Sequence, residues 1–162
     1  MAKNKIAKFE KISLEQFLKD SGTASDYQNV KIPKRATTGS AGYDLILPFD
    51  VKLNPGEGKL IHTGIRAKIA EGWVCLILPK SGLGSKFRFQ LDNTCGVIDS
   101  DYYDADNEGH IMVFMRNDSR AGKVLELPAG KAFAQAVFVP FGITEDDEAE
   151  GKRSGGYGST GV

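Results

Sequence analysis

The order of apolar and polar positions divides this 162-residue chain into two regimes. Near the N-terminus, "SLEQFLKD" (13–20) puts Leu14, Phe17 and Leu18 on one helical face behind a Ser13 cap, which predicts one short helix. The "SGTASDYQN" that follows reads as a loop. From about residue 30 the pattern turns to β. "WVCLIL" (73–78), "HIMVFM" (110–115), "KVLEL" (123–127) and "FAQAVFVPF" (133–141) are short apolar or alternating runs. "NPGEG" (54–58), "NDSRAG" (117–122) and "PAG" (128–130) punctuate them as turns. Many short strands without βαβ alternation predict an all-β sandwich, barrel or jelly roll and argue against a Rossmann fold. "TEDDEAEGK" (144–152) is too acidic to bury much and reads as a mobile linker to the glycine-rich "RSGGYGSTGV" (153–162). The expected division is an N-terminal extension (1–29), one β domain (30–141), and a linker with a C-terminal arm (142–162).

Charge narrows the function classes. Lys and Arg together number 21 and so do Asp and Glu, giving a formal net charge of zero. No general nucleic-acid or membrane surface is expected, so any anion must be held by a focused site. Cys75 and Cys95 lack metal-type spacing and read as free thiols. The lysine-rich N-terminus has no continuous apolar stretch, and no apolar run is long enough to span a bilayer. A cytoplasmic protein is expected.

Four stretches carry candidate chemistry. In the tail, successive glycines let backbone N–H groups approach phosphate oxygens, Arg153 offers a bidentate contact, and Tyr157 offers a stacking face. A plain unstructured terminus has the same composition. "PKSGLGSK" (79–86) offers Lys80, Lys86, Ser81 and Ser85 after a strand; a phosphate-facing segment and an ordinary polar loop fit it equally. In "AGYDL" (41–45), a lone Asp44 is more often a turn or capping residue than a ligand. "DSDYYDADNEGH" (99–110) is dense in carboxylates but fails as an EF-hand loop. From Asp99 the glycine position holds Asp104; from Asp104 the last ligand positions hold Met112 and Met115. One His beside carboxylates is no zinc set either. "GVIDSDYY" instead places Asp99 at the end of an apolar strand expected to be buried, where a carboxylate can serve as a general base toward water, with Tyr102 turning back across the same pocket.

Taken in order, "AGYDL", "PKSGLGSK", "NTCGVIDSDY", "GKAFAQAVFVP" and "RSGGYGSTG" resemble the five motifs of the trimeric dUTPase (dUTP diphosphatase) family. The resemblance spans roughly residues 30 to 162. It implies a distorted jelly roll, assembled as a homotrimer with active sites shared between subunits. It further implies hydrolysis of dUTP to dUMP and pyrophosphate with Mg²⁺ on the triphosphate. By the same resemblance Asp99 activates the attacking water and Tyr102 packs on the deoxyribose. Asn93, Gly96 and the backbone around 93–99 read uracil. Lys80, Ser81, Gly82 and Gln135 hold phosphates, and Asp44 anchors Mg²⁺ through water. The arm closes with Arg153 on the γ-phosphate, Tyr157 on uracil, and Gly155, Gly156, Gly158 and Ser159 around the nucleotide. Three positions depart from the family pattern: Lys80 replaces Arg, Tyr157 replaces Phe, and "YDADNE" (103–108) is inserted so that His110 stands where Glu is usual. The related dCTP deaminases lack the Tyr of "DSDYY", which argues against that activity, and a bifunctional dCTP deaminase and dUTPase stays as the alternative reading. Some phage-type dUTPases carry insertions that bind regulatory proteins. The 103–108 segment is accordingly expected to be an exposed acidic excursion, either a decoration or a partner surface.

Overall fold

The computed structural model describes residues 4–151, 153 and 155. In chain order its strands are β1 (Ala7–Lys11), β2 (Lys34–Arg35), β3 (Tyr43–Ile46), β4 (Val51–Leu53), β5 (Gly58–His62), β6 (Ile65–Ile69), β7 (Trp73–Pro79), β8 (Phe89–Leu91), β9 (Gly96–Ile98), β10 (Met112–Asn117), β11 (Leu125–Leu127) and β12 (Ala132–Pro140). Helices α1 (Leu14–Lys19) and α2 (Ala24–Asn29) lie between β1 and β2, and α3 (Ser81–Phe87) follows β7. A five-stranded sheet runs β2-β3-β12-β7-β9 and a three-stranded sheet runs β5-β10-β8. Two ribbons, β1-β6 and β4-β11, complete the fold. All of this pairing is antiparallel. The chain is mostly β with open sheets, of the jelly-roll type.

The strands form where alternation allows one face to be buried. Along β10, Val113, Met115 and Asn117 face inward while Met112, Phe114 and Arg116 are half-exposed. Along β12 a register shift between Ala132 and Ala134 lets the consecutive residues Phe133 and Ala134 both be buried. These side chains join Leu45, Ile61, Ile77, Phe89 and Leu125 in one core. A satellite cluster of Ile12, Phe17, Val30 and Ile65 fastens the N-terminal segment to it.

That segment holds more structure than its sequence pattern suggests. Ser13 caps α1 as expected, its hydroxyl accepting from the Gln16 N–H at 3.1 Å. Of the three apolar residues on the helix only Phe17 is buried; Leu14 and Leu18 stay 41% and 46% exposed. Gln16 is buried instead and donates to Asp20 at 3.0 Å. The expected loop after α1 contains a second helix. Thr23 caps α2, and Tyr27 packs on Phe17 and donates its hydroxyl to the Ile12 carbonyl at 2.6 Å. One aromatic anchor and a cap thus replace an apolar stripe. "PKSGLGSK" likewise opens a helix, because Leu83 and Phe87, four residues apart, both pack on the core.

One polar side chain is built into the core. Asn117 is fully buried, and its amide donates to the carbonyls of Leu53 and Lys123, both at 2.9 Å, while its oxygen accepts from the Ser119 N–H at 3.2 Å. It ties the β4 end to the β10–β11 turn. Asn117→Ala leaves those backbone groups unpaired and is expected to lower stability by about 3 kcal/mol. Urea unfolding checks this: the midpoint should drop with the slope unchanged.

Candidate active site

Strand β8 pairs with β10 in one sheet, and β9 pairs with β7 in the other. The turn between them, residues 92–95, therefore carries the chain from sheet to sheet. Both sheets line a cavity of about 480 Å³ at this crossing. Ile77 and Leu91 contribute apolar wall, Phe114 comes from β10, Asn93, Asp99, Tyr102 and Arg153 contribute polar side chains, and Gly96 contributes backbone. The turn is tight, with Thr94 left-handed at φ 70°. Gly96 packs closely: a Cβ there would sit 3.1 Å from the Ile77 Cβ and 3.3 Å from its Cγ1, tighter than an ordinary contact. Bare backbone thus faces the cavity.

Asp99 follows β9 and opens a 3₁₀ turn, Ser100–Asp104. The expected buried strand before it is instead the edge of its sheet, with Val97 59% exposed. The Asp99 side chain is half-exposed as a result. Arg153 pairs with it at 2.6 Å, reaches Asp101 at 3.0 Å, and lies 5.6 Å from the centre of the Tyr102 ring. The 3₁₀ turn is what brings Tyr102 back over the cavity. Tyr102 is buried; its hydroxyl donates to the His110 carbonyl at 2.8 Å and accepts from the Asn107 amide at 2.8 Å.

A second group forms around β12, the central strand of the five-stranded sheet. Register places Gln135 of β12 beside Asp44 of β3 and Leu78 of β7. Lys80 pairs with Asp44 at 2.6 Å, and Gln135 donates to the Pro79 carbonyl at 3.3 Å. Ser81 and Gly82 are exposed on the first turn of α3. None of these five residues lines the Asp99 cavity. Gly155 is within the described residues, whereas Gly156, Tyr157, Gly158 and Ser159 lie outside them.

The 103–108 segment is not the free acidic excursion expected. Asp104 and Asp106 are exposed, but Ala105 is buried, Tyr103 bonds Glu10, and Glu108 accepts from the Ser13 N–H at 2.8 Å and the Ser13 hydroxyl at 2.6 Å. Its partners lie on β1 and at the start of α1, which is why sequence spacing does not reveal them. His110 is wholly buried. The Gly64 N–H donates to its Nε2 at 2.9 Å, so Nδ1 carries the proton and donates to Asp20 at 2.6 Å. Burial holds the imidazole below its ordinary pKa, against the pull of Asp20.

These features meet a family pattern. The sequence profile of dUTPase matches residues 28–161. The chain belongs to the dUTPase family. It is 44% identical over 141 residues to the deoxyuridine 5'-triphosphate nucleotidohydrolase of Lactococcus lactis, covering 84% of this chain and 93% of that one. A crystal structure of the dUTPase from Streptococcus mutans superposes with a TM-score of 0.67 at 33% identity, over 85% of this chain and 98% of that one. The Staphylococcus bacteriophage 80alpha dUTPase, solved with dUPNHPP, shares the fold at 24% identity with a TM-score of 0.68, over 98% of this chain and all of that one. Among the described residues of this dUTPase-family chain, no helix is long and apolar enough to cross a membrane.

His110 and His62 both have pKa values lowered chiefly by burial. From the ordinary value of 6.5 downward, the unfolded chain binds protons that the folded chain does not, so stability falls with pH below about 6.5. Glu10 acts in a lower window. Lys8 and then Tyr103 hold it down to about 2, so its contribution is lost only as pH falls below its ordinary 4.5. Melting temperature should therefore already drop between pH 6.5 and 5, with a shallower slope in His110→Gln.

Proposed function

We propose that the chain hydrolyses dUTP to dUMP and pyrophosphate by attack of water on the α-phosphorus. The observation that carries this reading is the convergence of Asp99, Tyr102 and the side-chain-free Gly96 on one cavity. Asp99 is half-exposed, a setting in which a carboxylate can orient a water and take its proton. The Tyr102 ring supplies a flat wall for the deoxyribose, and a wall that close leaves no room for a 2′-hydroxyl. Asn93 and the backbone of 93–99 offer donors and acceptors to the uracil edge. The narrow turn also excludes a thymine methyl. Arg153 must leave Asp99 for the carboxylate to act as base, and the phosphates of an arriving nucleotide offer the guanidinium another anion.

The phosphate-binding role falls to Lys80, Ser81, Gly82 and Gln135. None of them lines the Asp99 cavity of the same protomer, which supports the reading of a homotrimer with shared sites. Asp44 is a single carboxylate already paired with Lys80, and no three metal-ligating side chains converge among the described residues. That fits Mg²⁺ carried in on the triphosphate, with Asp44 at its water shell, and not an all-protein cage. Bound there, Mg²⁺ would draw charge from the phosphate oxygens. Such an enzyme removes dUTP from the nucleotide pool and supplies dUMP.

Pyrophosphate release should be fast with dUTP and low with dTTP, dCTP and UTP. Asp99→Asn should still bind dUTP while turnover falls about 10²–10⁴-fold. Equilibrium binding and single-turnover assays separate the two effects, and full turnover in this variant would overturn the assignment of Asp99 as base.

A further inference from the structure

We infer that Asn107 is a positioning residue for Tyr102, and that the inserted segment Tyr103–Glu108 is the brace that holds it. This inference rests on the proposed role of Tyr102 as the sugar wall. A tyrosine ring can stay in place by packing alone, but hydrogen bonds to its hydroxyl fix where the far end of the ring sits and so how far it reaches into a cavity. Here the hydroxyl is used in both directions. It donates to the His110 carbonyl and accepts from the Asn107 amide, each at 2.8 Å. The amide donor is thus a side chain from the insertion itself.

The insertion is held as a brace would have to be. At its start, Tyr103 bonds Glu10 of β1, and Arg66 of β6 lies 4.3 Å from the centre of the Tyr103 ring. At its end, the Glu108 carboxylate takes both the N–H and the hydroxyl of Ser13. Between them, the Asn107 oxygen accepts from the Gly109 N–H at 3.2 Å, which leaves the amide nitrogen aimed at Tyr102. The backbone is bent to do this. Glu108 and Gly109 are both left-handed, at φ 58° and 68°. A Cβ on Gly109 would sit 2.6 Å from the Tyr102 carbonyl oxygen, so the segment folds directly back on the residue it supports. A non-glycine residue in this conformation persists only where its surroundings enforce it, and the two Ser13 bonds do so. The other Tyr102 partner is anchored separately, since the His110 ring is fixed by Asp20 and Gly64. An acidic loop built only for display would need neither the double anchor nor the inward amide.

The test compares Asn107→Ala, Tyr102→Phe and the double variant with the parent chain, using kcat and KM for dUTP and UTP. Asn107→Ala should lower the preference for dUTP over UTP about 10-fold, mostly through a raised KM for dUTP with a smaller change in kcat. Added to Tyr102→Phe it should do little more, because the hydroxyl it serves is already gone. Ring-¹³C tyrosine NMR gives a readout independent of turnover. The Tyr102 signal, identified by its loss in Tyr102→Phe, should shift in Asn107→Ala while the melting temperature stays near that of the parent. An unmoved Tyr102 signal overturns the inference, as does an Asn107→Ala effect of equal size with and without the Tyr102 hydroxyl. Absence of dUTP hydrolysis in the parent chain would overturn the proposed function instead, and the ring signal would still decide whether Asn107 positions Tyr102.

Discussion

A single neutral imidazole joins the two halves of this architecture. His110 can accept from the Gly64 backbone only while Nε2 is bare, and that forces the proton onto Nδ1, toward Asp20. One tautomer therefore ties together the β5–β6 turn, the end of α1, and the segment that leads into β10. The backbone oxygen of the same residue receives the Tyr102 hydroxyl. A charged His110 would offer a donor where Gly64 also donates. The back wall of the cavity thus depends on a proton's absence from one nitrogen.

The cavity owes its shape to a topological accident of the β8–β9 segment. Because the chain leaves one sheet and joins another within a few residues, main-chain groups there are not all consumed by ladder bonds. A side chain at Gly96 would close the gap against Ile77. Open backbone follows from that crossing, with the Asn93 side chain within it and those of Asp99 and Tyr102 after it.

Much of this was legible in the sequence, for identifiable reasons. Strands β7, β10, β11 and β12 showed themselves through apolar alternation and flanking turns, and Asp99 and Tyr102 through their spacing after an apolar run. Strand β1 did not, because "AKFEK" carries one large apolar residue, and its partner β6 lies far along the chain. Helix α2 escaped because a single tyrosine does the work of an apolar face. Charge density alone misrepresents the insertion. Charge says where a side chain prefers to be, but Glu108 finds Ser13 across 95 residues, and no local pattern encodes such a pair. The separate placement of Asp44, Lys80 and Gln135 from the Asp99 cavity was likewise invisible until strand register was known.

The anchors of the insertion bear on where the working unit begins. The family match starts at residue 28, yet Glu10, Ser13 and Asp20 all lie before it. A fragment cut at the family boundary would keep every motif residue and lose all three side chains that hold Tyr103, Glu108 and His110. It would also expose the edge of β6 and strip Ile12 and Phe17 from the satellite cluster. By the contacts that hold its pocket together, this enzyme extends beyond the region that the family profile matches.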